Sequence, residues 1–185
     1  MVLFHGTRTE ENVISLSTNV DLSKTNSMGD LHTNKKGGAD GGAYFTDSLV
    51  AAAQYACYST KYDTTMALPD IVYVASFQWT PGQFKVHEFS TKSEVTADKS
   101  DTSDMISGPM SAPAFIDMYL TPYFWQYAVV KKTAVAGLKH LQNYKVYCKN
   151  VPEGRNLQEQ EYAKGQSGNP EFNALVTGLT SESGC

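Results

Sequence analysis

Val2-Leu3-Phe4-His5-Gly6-Thr7 at the head of the chain and Gly42-Ala43-Tyr44-Phe45-Thr46-Asp47-Ser48 further on decide how the sequence reads. The first is an apolar strand candidate that delivers a histidine into a Gly-Thr turn. There, one imidazole and one backbone amide can meet the same small ligand. The second is a short strand running into a helix start, and Tyr55 stands eleven positions after Tyr44. That spacing puts one tyrosine on a strand end and the other inside the next helix, where the two can close on a flat ring from both sides.

Outward from these motifs, residues 1–5 predict a buried strand. Thr9 offers an N-cap to a helix over 10–16, with Val13 and Leu16 on one face. Residues 17–42 are polar and end in Gly37-Gly38-Ala39-Asp40-Gly41-Gly42, which reads as a mobile loop beside the site with almost nothing to bury. Asp47 or Ser48 caps a helix whose Leu49, Ala52, Ala53 and Ala56 follow helical spacing. Strands are predicted over 71–79, 84–89, 104–110, 125–130 and 144–151, with a brief helix over 133–141. One domain over 1–185 is expected, with 152–185 a polar C-terminal extension carrying a docking helix on Phe172, Leu175, Val176 and Leu179.

A chain of 185 residues, 41% hydrophobic, can bury one core of ordinary size. No apolar run reaches the roughly 18 residues that span a bilayer, so no membrane partner is expected. Net charge is −4 and the basic residues gather only as the pairs Lys35-Lys36 and Lys131-Lys132. Nothing there would neutralise a row of phosphates, which argues against nucleic acid. Charged residues are 18% of the chain, below the usual ~25%, and this leans toward a secreted protein over a cytoplasmic one. A cytosolic protein and a mature form stripped of a leader both remain open. Cys57, Cys148 and Cys185 lack C-x-x-C spacing and allow at most one internal disulfide, and a helix and a strand around the first two favour buried structural thiols. His32, His87 and His140 show no helical metal spacing, so no metal is expected.

Taken in order, His5-Gly6, the Tyr44-Phe45-x-x-Ser48 turn, Tyr55 and the late strand Trp125-Gln126-Tyr127-Ala128-Val129-Val130 resemble the NAD-binding half of the diphtheria-toxin-like ADP-ribosyltransferases, the class that includes the poly(ADP-ribose) polymerases. The resemblance covers about two-thirds of the chain. It implies an α+β fold of two packed small antiparallel-rich β-sheets with short flanking helices. It also implies NAD as substrate. In that family His5 would bind a ribose hydroxyl, the Gly6 backbone would grip the carboxamide, and Tyr44 and Tyr55 would sandwich the nicotinamide, with Thr7 and Gln126 among the other NAD-binding residues. Cleaving the nicotinamide–ribose bond builds positive charge on the sugar, a state that glycosidases also stabilise.

Two departures matter. Gln126 stands where the family usually carries a glutamate, so the triad reads His5, Tyr44, Gln126; an amide can accept from a hydroxyl but lacks the charge, a loss of about 3 kcal/mol at the transition state. That disfavours long polymers and leaves single transfer to an unknown acceptor (a protein side chain, a small molecule or water), NAD glycohydrolysis, or a catalytically silent NAD- or ADP-ribose-binding module. Ala52 replaces a hydroxyl that would hold the carboxamide, for which Thr46, Ser48 or water could compensate. Glu159 and Glu161 form a rival acid pair in a polar stretch that otherwise reads as solvated surface.

Overall fold

Leu3 and Phe4 are adjacent and both buried, which in a strand requires cover on both faces of the sheet. The computed structural model describes residues 1–22, 42–58, 67–88, 103–109, 125–151 and 180–182. In chain order these form β1 (Val2–Thr7), α1 (Glu10–Thr18), β2 (Ala43–Thr46), α2 (Leu49–Tyr58), β3 (Ile71–Trp79), β4 (Val86–Glu88), β5 (Met105–Pro109), β6 (Trp125–Val129), α3 (Lys132–Val135), β7 (Leu138–Tyr147) and β8 (Thr180–Glu182). The class is α+β.

Helix α1 covers the Leu3 side, where Val13 joins Phe45, Ala75, Phe77, Trp79, Met105 and Val129. Helix α2 covers the Phe4 side, with Leu49, Ala52, Ala53, Ala56 and Cys57 against Val72, Val74 and Val146. Both helices start as their caps dictate. Thr9 accepts from the Asn12 N–H, and Ser48 accepts from the Ala51 N–H, satisfying donors that the first turn leaves without partners.

The strands form one sheet in the order β4-β5-β6-β2-β1-β3-β7-β8, antiparallel throughout except for the β4–β5 pair. The expected pair of separate small sheets is therefore one eight-stranded sheet that is nearly divided. Its two four-stranded halves meet at a single register pair, Phe4 with Thr46, whereas β1 and β3 pair along the whole of β1.

Several other expectations are corrected. The brief helix stops at Val135, and β7 begins at Leu138. Gly137 makes the stop: its N–H bonds the Ala134 carbonyl, and a Cβ there would collide with Trp79 and Phe84. The start of the expected loop contributes to the core, because α1 extends to Thr18 and Val20 and Leu22 are buried beyond it, while the rest of that loop, 23–41, lies outside the described residues. Cys148 lies in a 3-10 turn (Cys148–Asn150), and it is bonded to Cys57. The two are not free thiols: α2 packed beside the end of β7 brings their Cα atoms to 5.6 Å, within disulfide range. In the tail, β8 adds to the edge of β7, while the proposed helix around Phe172 lies outside the described residues. No helix among the described residues is long and apolar enough to cross a membrane.

Candidate active site

The divide in the sheet creates the site. Met1 and Trp79 exchange both backbone hydrogen bonds, the N–H of each donating to the carbonyl of the other. In an antiparallel ladder such pairs alternate, so Leu3, His5 and Thr7 spend their backbone groups on β3, while Val2, Phe4 and Gly6 turn theirs toward β2. Phe4 meets Thr46 there. Two residues on, the register would set Gly6 against Tyr44, but the β1–β2 pairing stops at Phe4. The N–H and C=O of Gly6 thus face the opening between the strands.

His5 spans that opening. Its Nδ1 lies 2.6 Å from the carbonyl oxygen of Tyr44. A carbonyl can only accept, so Nδ1 carries the proton and Nε2 presents a lone pair. The half-buried ring stands edge-on to Phe45, with centroids 5.7 Å apart. Burial lowers the pKa of His5 below the ordinary 6.5, outweighing the opposite pull of the Tyr44 hydrogen bond, and the imidazole is neutral at pH 7.

Tyr44 and Gln126 share the sheet face covered by α2. Tyr44 is half-buried beside Ile106, Ala128 and Val130. Gln126 sits opposite Thr46 on β2 and Gly108 on β5, one row from Tyr44 and its partner Ala128. Its Oε1 is buried and has no hydrogen-bond partner among the described residues. An acceptor so placed costs about 1–3 kcal/mol unless a donor reaches it, and a ligand hydroxyl is such a donor. Tyr127, on the opposite face, bonds Asp47. Burial, the charges of Asp47 and Glu88, and that bond all push its pKa up, so it stays protonated.

Gly6 has a second reason to be glycine. A Cβ there would collide with the Ala52 carbonyl and crowd Ala56, so its absence lets α2 lie directly on β1. Ala52 is buried in this contact, and Tyr55, one turn on, is the exposed residue of a helix otherwise buried throughout. Of the two hydroxyls that could replace the one missing at Ala52, Ser48 is fully buried as the helix cap, and Thr46 accepts from the Ser48 N–H. Neither oxygen is idle. Thr7 ends β1 opposite Tyr73.

The fold therefore brings the His5 imidazole, the Gly6 backbone and the Tyr44 carbonyl together at the opening; the His5 ring lies on the Phe45 face of the sheet, the Tyr44 and Gln126 side chains on the opposite face, and Tyr55 on the helix that covers that opposite face. Glu159, Glu161 and His32 lie outside the described residues. Among those described, no group of three His, Cys, Asp or Glu side chains is placed to hold a metal. Arg8 went unread in the sequence: its Nε donates to the Ala56 carbonyl at 3.0 Å, tying the end of β1 to α2. Its only signal was its place directly after His5-Gly6-Thr7. Comparison with protein-family models, curated proteins and solved structures found no significant match to the chain.

Proposed function

We propose that the chain binds NAD at the opening between β1 and β2 and cleaves the nicotinamide–ribose bond, acting as a mono-ADP-ribosyltransferase-like enzyme. The observation that carries this reading is the His5–Tyr44 hydrogen bond, which leaves a neutral Nε2 acceptor beside the open backbone edge of Gly6. An amide N–H and C=O in that position complement a carboxamide, which has one acceptor and one donor group. Nε2 accepts from a ribose hydroxyl, and the Tyr44 ring offers a stacking face for the pyridinium.

Gln126 Oε1 takes a second ribose hydroxyl and turns its dipole toward the charge that develops on the sugar. The departing nicotinamide leaves with the bonding electron pair, and an acceptor O–H or N–H attacks the oxocarbenium carbon and gives up its proton to solvent. Water in the acceptor's place gives free ADP-ribose. The neutral Gln126 keeps two further readings in play, an NAD glycohydrolase and a binding module without turnover. The Cys57–Cys148 disulfide favours an oxidising compartment, in keeping with a secreted protein.

Incubation of the purified chain with NAD, with nicotinamide quantified by chromatography, tests the reading. Protein-dependent release supports cleavage, and mass spectrometry of added acceptors then separates transfer from hydrolysis. Binding without release points to the silent module, and neither binding nor release defeats all three.

A further inference from the structure

Thr46 and Gln126 are directly paired across β2 and β6, so their side chains stand next to each other on the sheet face covered by α2. The alternation set by Met1 and Trp79 turns the backbone of Phe4 toward β2, and its partner Thr46 answers toward β1. Between β2 and β6, Thr46 and Gln126 therefore form a pair without ladder hydrogen bonds, the kind in which Cα atoms approach to about 4.5 Å and side chains lie closest. Both residues are buried, with 5% and 8% of their surface exposed. On the far side of Gln126 the row continues with Gly108, which puts no side chain there. The row borders the opening, because Phe4 and Thr46 are the last residues that β1 and β2 pair.

The two tips complement each other. Thr46 Oγ1 accepts from the Ser48 N–H at 3.3 Å, which uses a lone pair and leaves the hydroxyl proton to donate. Among the described residues no acceptor takes that proton, and no donor reaches Gln126 Oε1. A third group set between the tips satisfies both if it accepts and donates from nearly one point. A hydroxyl does so, as does water; a carboxylate or phosphate has no donor, and an ammonium has no acceptor. A carboxamide accepts and donates from two separate atoms, which suits the C=O and N–H of Gly6 in the row of Tyr44.

We propose that Thr46 is a substrate-binding residue: its hydroxyl and the Gln126 amide hold between them the ribose hydroxyl on the carbon next to the scissile bond, Thr46 donating and Gln126 accepting. This rests on the NAD reading above and extends it, because a donor and an acceptor converging on one oxygen select for a sugar that carries that hydroxyl. Removing a hydroxyl from such a ligand strips two buried groups of their partner at once, which is where hydrogen bonding discriminates most sharply.

The test compares NAD with its analogue lacking that hydroxyl, on the full chain as wild type, Thr46→Val and Thr46→Ser. Discrimination is read as the ratio of kcat/KM for nicotinamide release, or of dissociation constants if the chain binds without release. The analogue's own reactivity cancels when one protein is compared with another. Wild type should favour NAD, and Thr46→Val should shrink that preference about twofold to tenfold, the worth of one net hydrogen bond. Thr46→Ser, which keeps the hydroxyl, should retain it. Thr46→Val also takes the acceptor from the Ser48 N–H, but a loss that acts through the fold weakens both ligands alike and leaves the ratio unmoved. An unmoved ratio in Thr46→Val, or one that Thr46→Ser lowers as far, overturns the proposal. Free nicotinamide should bind wild type and Thr46→Val equally; a loss there as large as for NAD would make the carboxamide the occupant and overturn it too. If wild type takes NAD and the analogue equally well, the pair holds only water and the proposal fails while the NAD reading stands. If wild type neither binds nor cleaves NAD, both fail.

Discussion

The Nδ1 of His5 donates to the backbone carbonyl of Tyr44 across 2.6 Å at the point where β1 and β2 part. One side chain replaces the ladder hydrogen bonds that the two strands fail to make beyond Phe4 and Thr46. The replacement fixes the tautomer of the imidazole, holds the strands at a set distance and leaves the backbone edge of Gly6 facing the opening. Site geometry and sheet geometry are thus one feature.

Protonation of His5 removes the Nε2 acceptor, and burial makes that protonation harder than for an ordinary histidine of pKa 6.5. The acid limb of the pH–rate profile for nicotinamide release should therefore have its midpoint below 6.5. A folded pKa below the unfolded one means that the unfolded chain takes the proton first. The stability contribution of His5 is present above 6.5, declines as pH falls toward the folded pKa, and is flat below it. The melting-temperature gap between wild type and His5→Gln should narrow over that window. An acid limb centred at or above 6.5 contradicts the assignment.

Gln126 carries a buried acceptor with no partner among the described residues, in the row beside Tyr44. Gln126→Glu keeps the shape and adds a charge facing the developing cation. Nicotinamide release should rise by up to about 100-fold, corresponding to ~3 kcal/mol at the transition state. An unchanged rate would shift attention to Glu159 and Glu161.

Gly6→Ala sets a methyl group against the Ala52 carbonyl, and either β1 or α2 must shift. Overpacking of this kind costs about 1–3 kcal/mol, or several degrees in melting temperature for a chain of this length. A variant melting at the wild-type temperature would show that the helix does not lie on the strand as described.

Much of this was legible in the sequence, and the remainder was hidden for identifiable reasons. Apolar runs marked β1 and β3, and the hydroxyls of Thr9 and Ser48 marked the helix starts, because strand burial and capping are local properties. The end of α3 is not legible locally because Gly137 acts through Trp79 and Phe84, which are distant in sequence. Val20 and Leu22 sit in a polar stretch, and only the packing of α1 shows where they go. The order of His5 and Tyr44 in the chain marks them as a pair, but the bond between them leaves no trace in the sequence, since it joins a side chain to a backbone carbonyl. Arg8 escaped for the same reason. The pairing of Cys57 with Cys148, 91 residues apart, is a tertiary fact that spacing alone does not reveal.

The disulfide closes a loop long enough for its loss to matter. In the chain-entropy picture, a loop of this size contributes roughly 4.6 kcal/mol by restricting the unfolded chain. The Cys57→Ala/Cys148→Ala variant, or wild type held in reductant, should unfold at a clearly lower urea concentration. Cys57 is two residues from Tyr55, so NAD affinity should fall as well. Unfolding at the same urea concentration with and without reductant would contradict the bond.

Nicotinamide release from NAD, measured side by side for wild type and Tyr44→Ala, tests the central claim most directly. Release by wild type is expected, together with NAD binding weakened in Tyr44→Ala by about 1–3 kcal/mol, the worth of one aromatic stacking face. If wild type neither binds NAD nor frees nicotinamide, or if Tyr44→Ala behaves as wild type, the opening beside His5 is not a nicotinamide site.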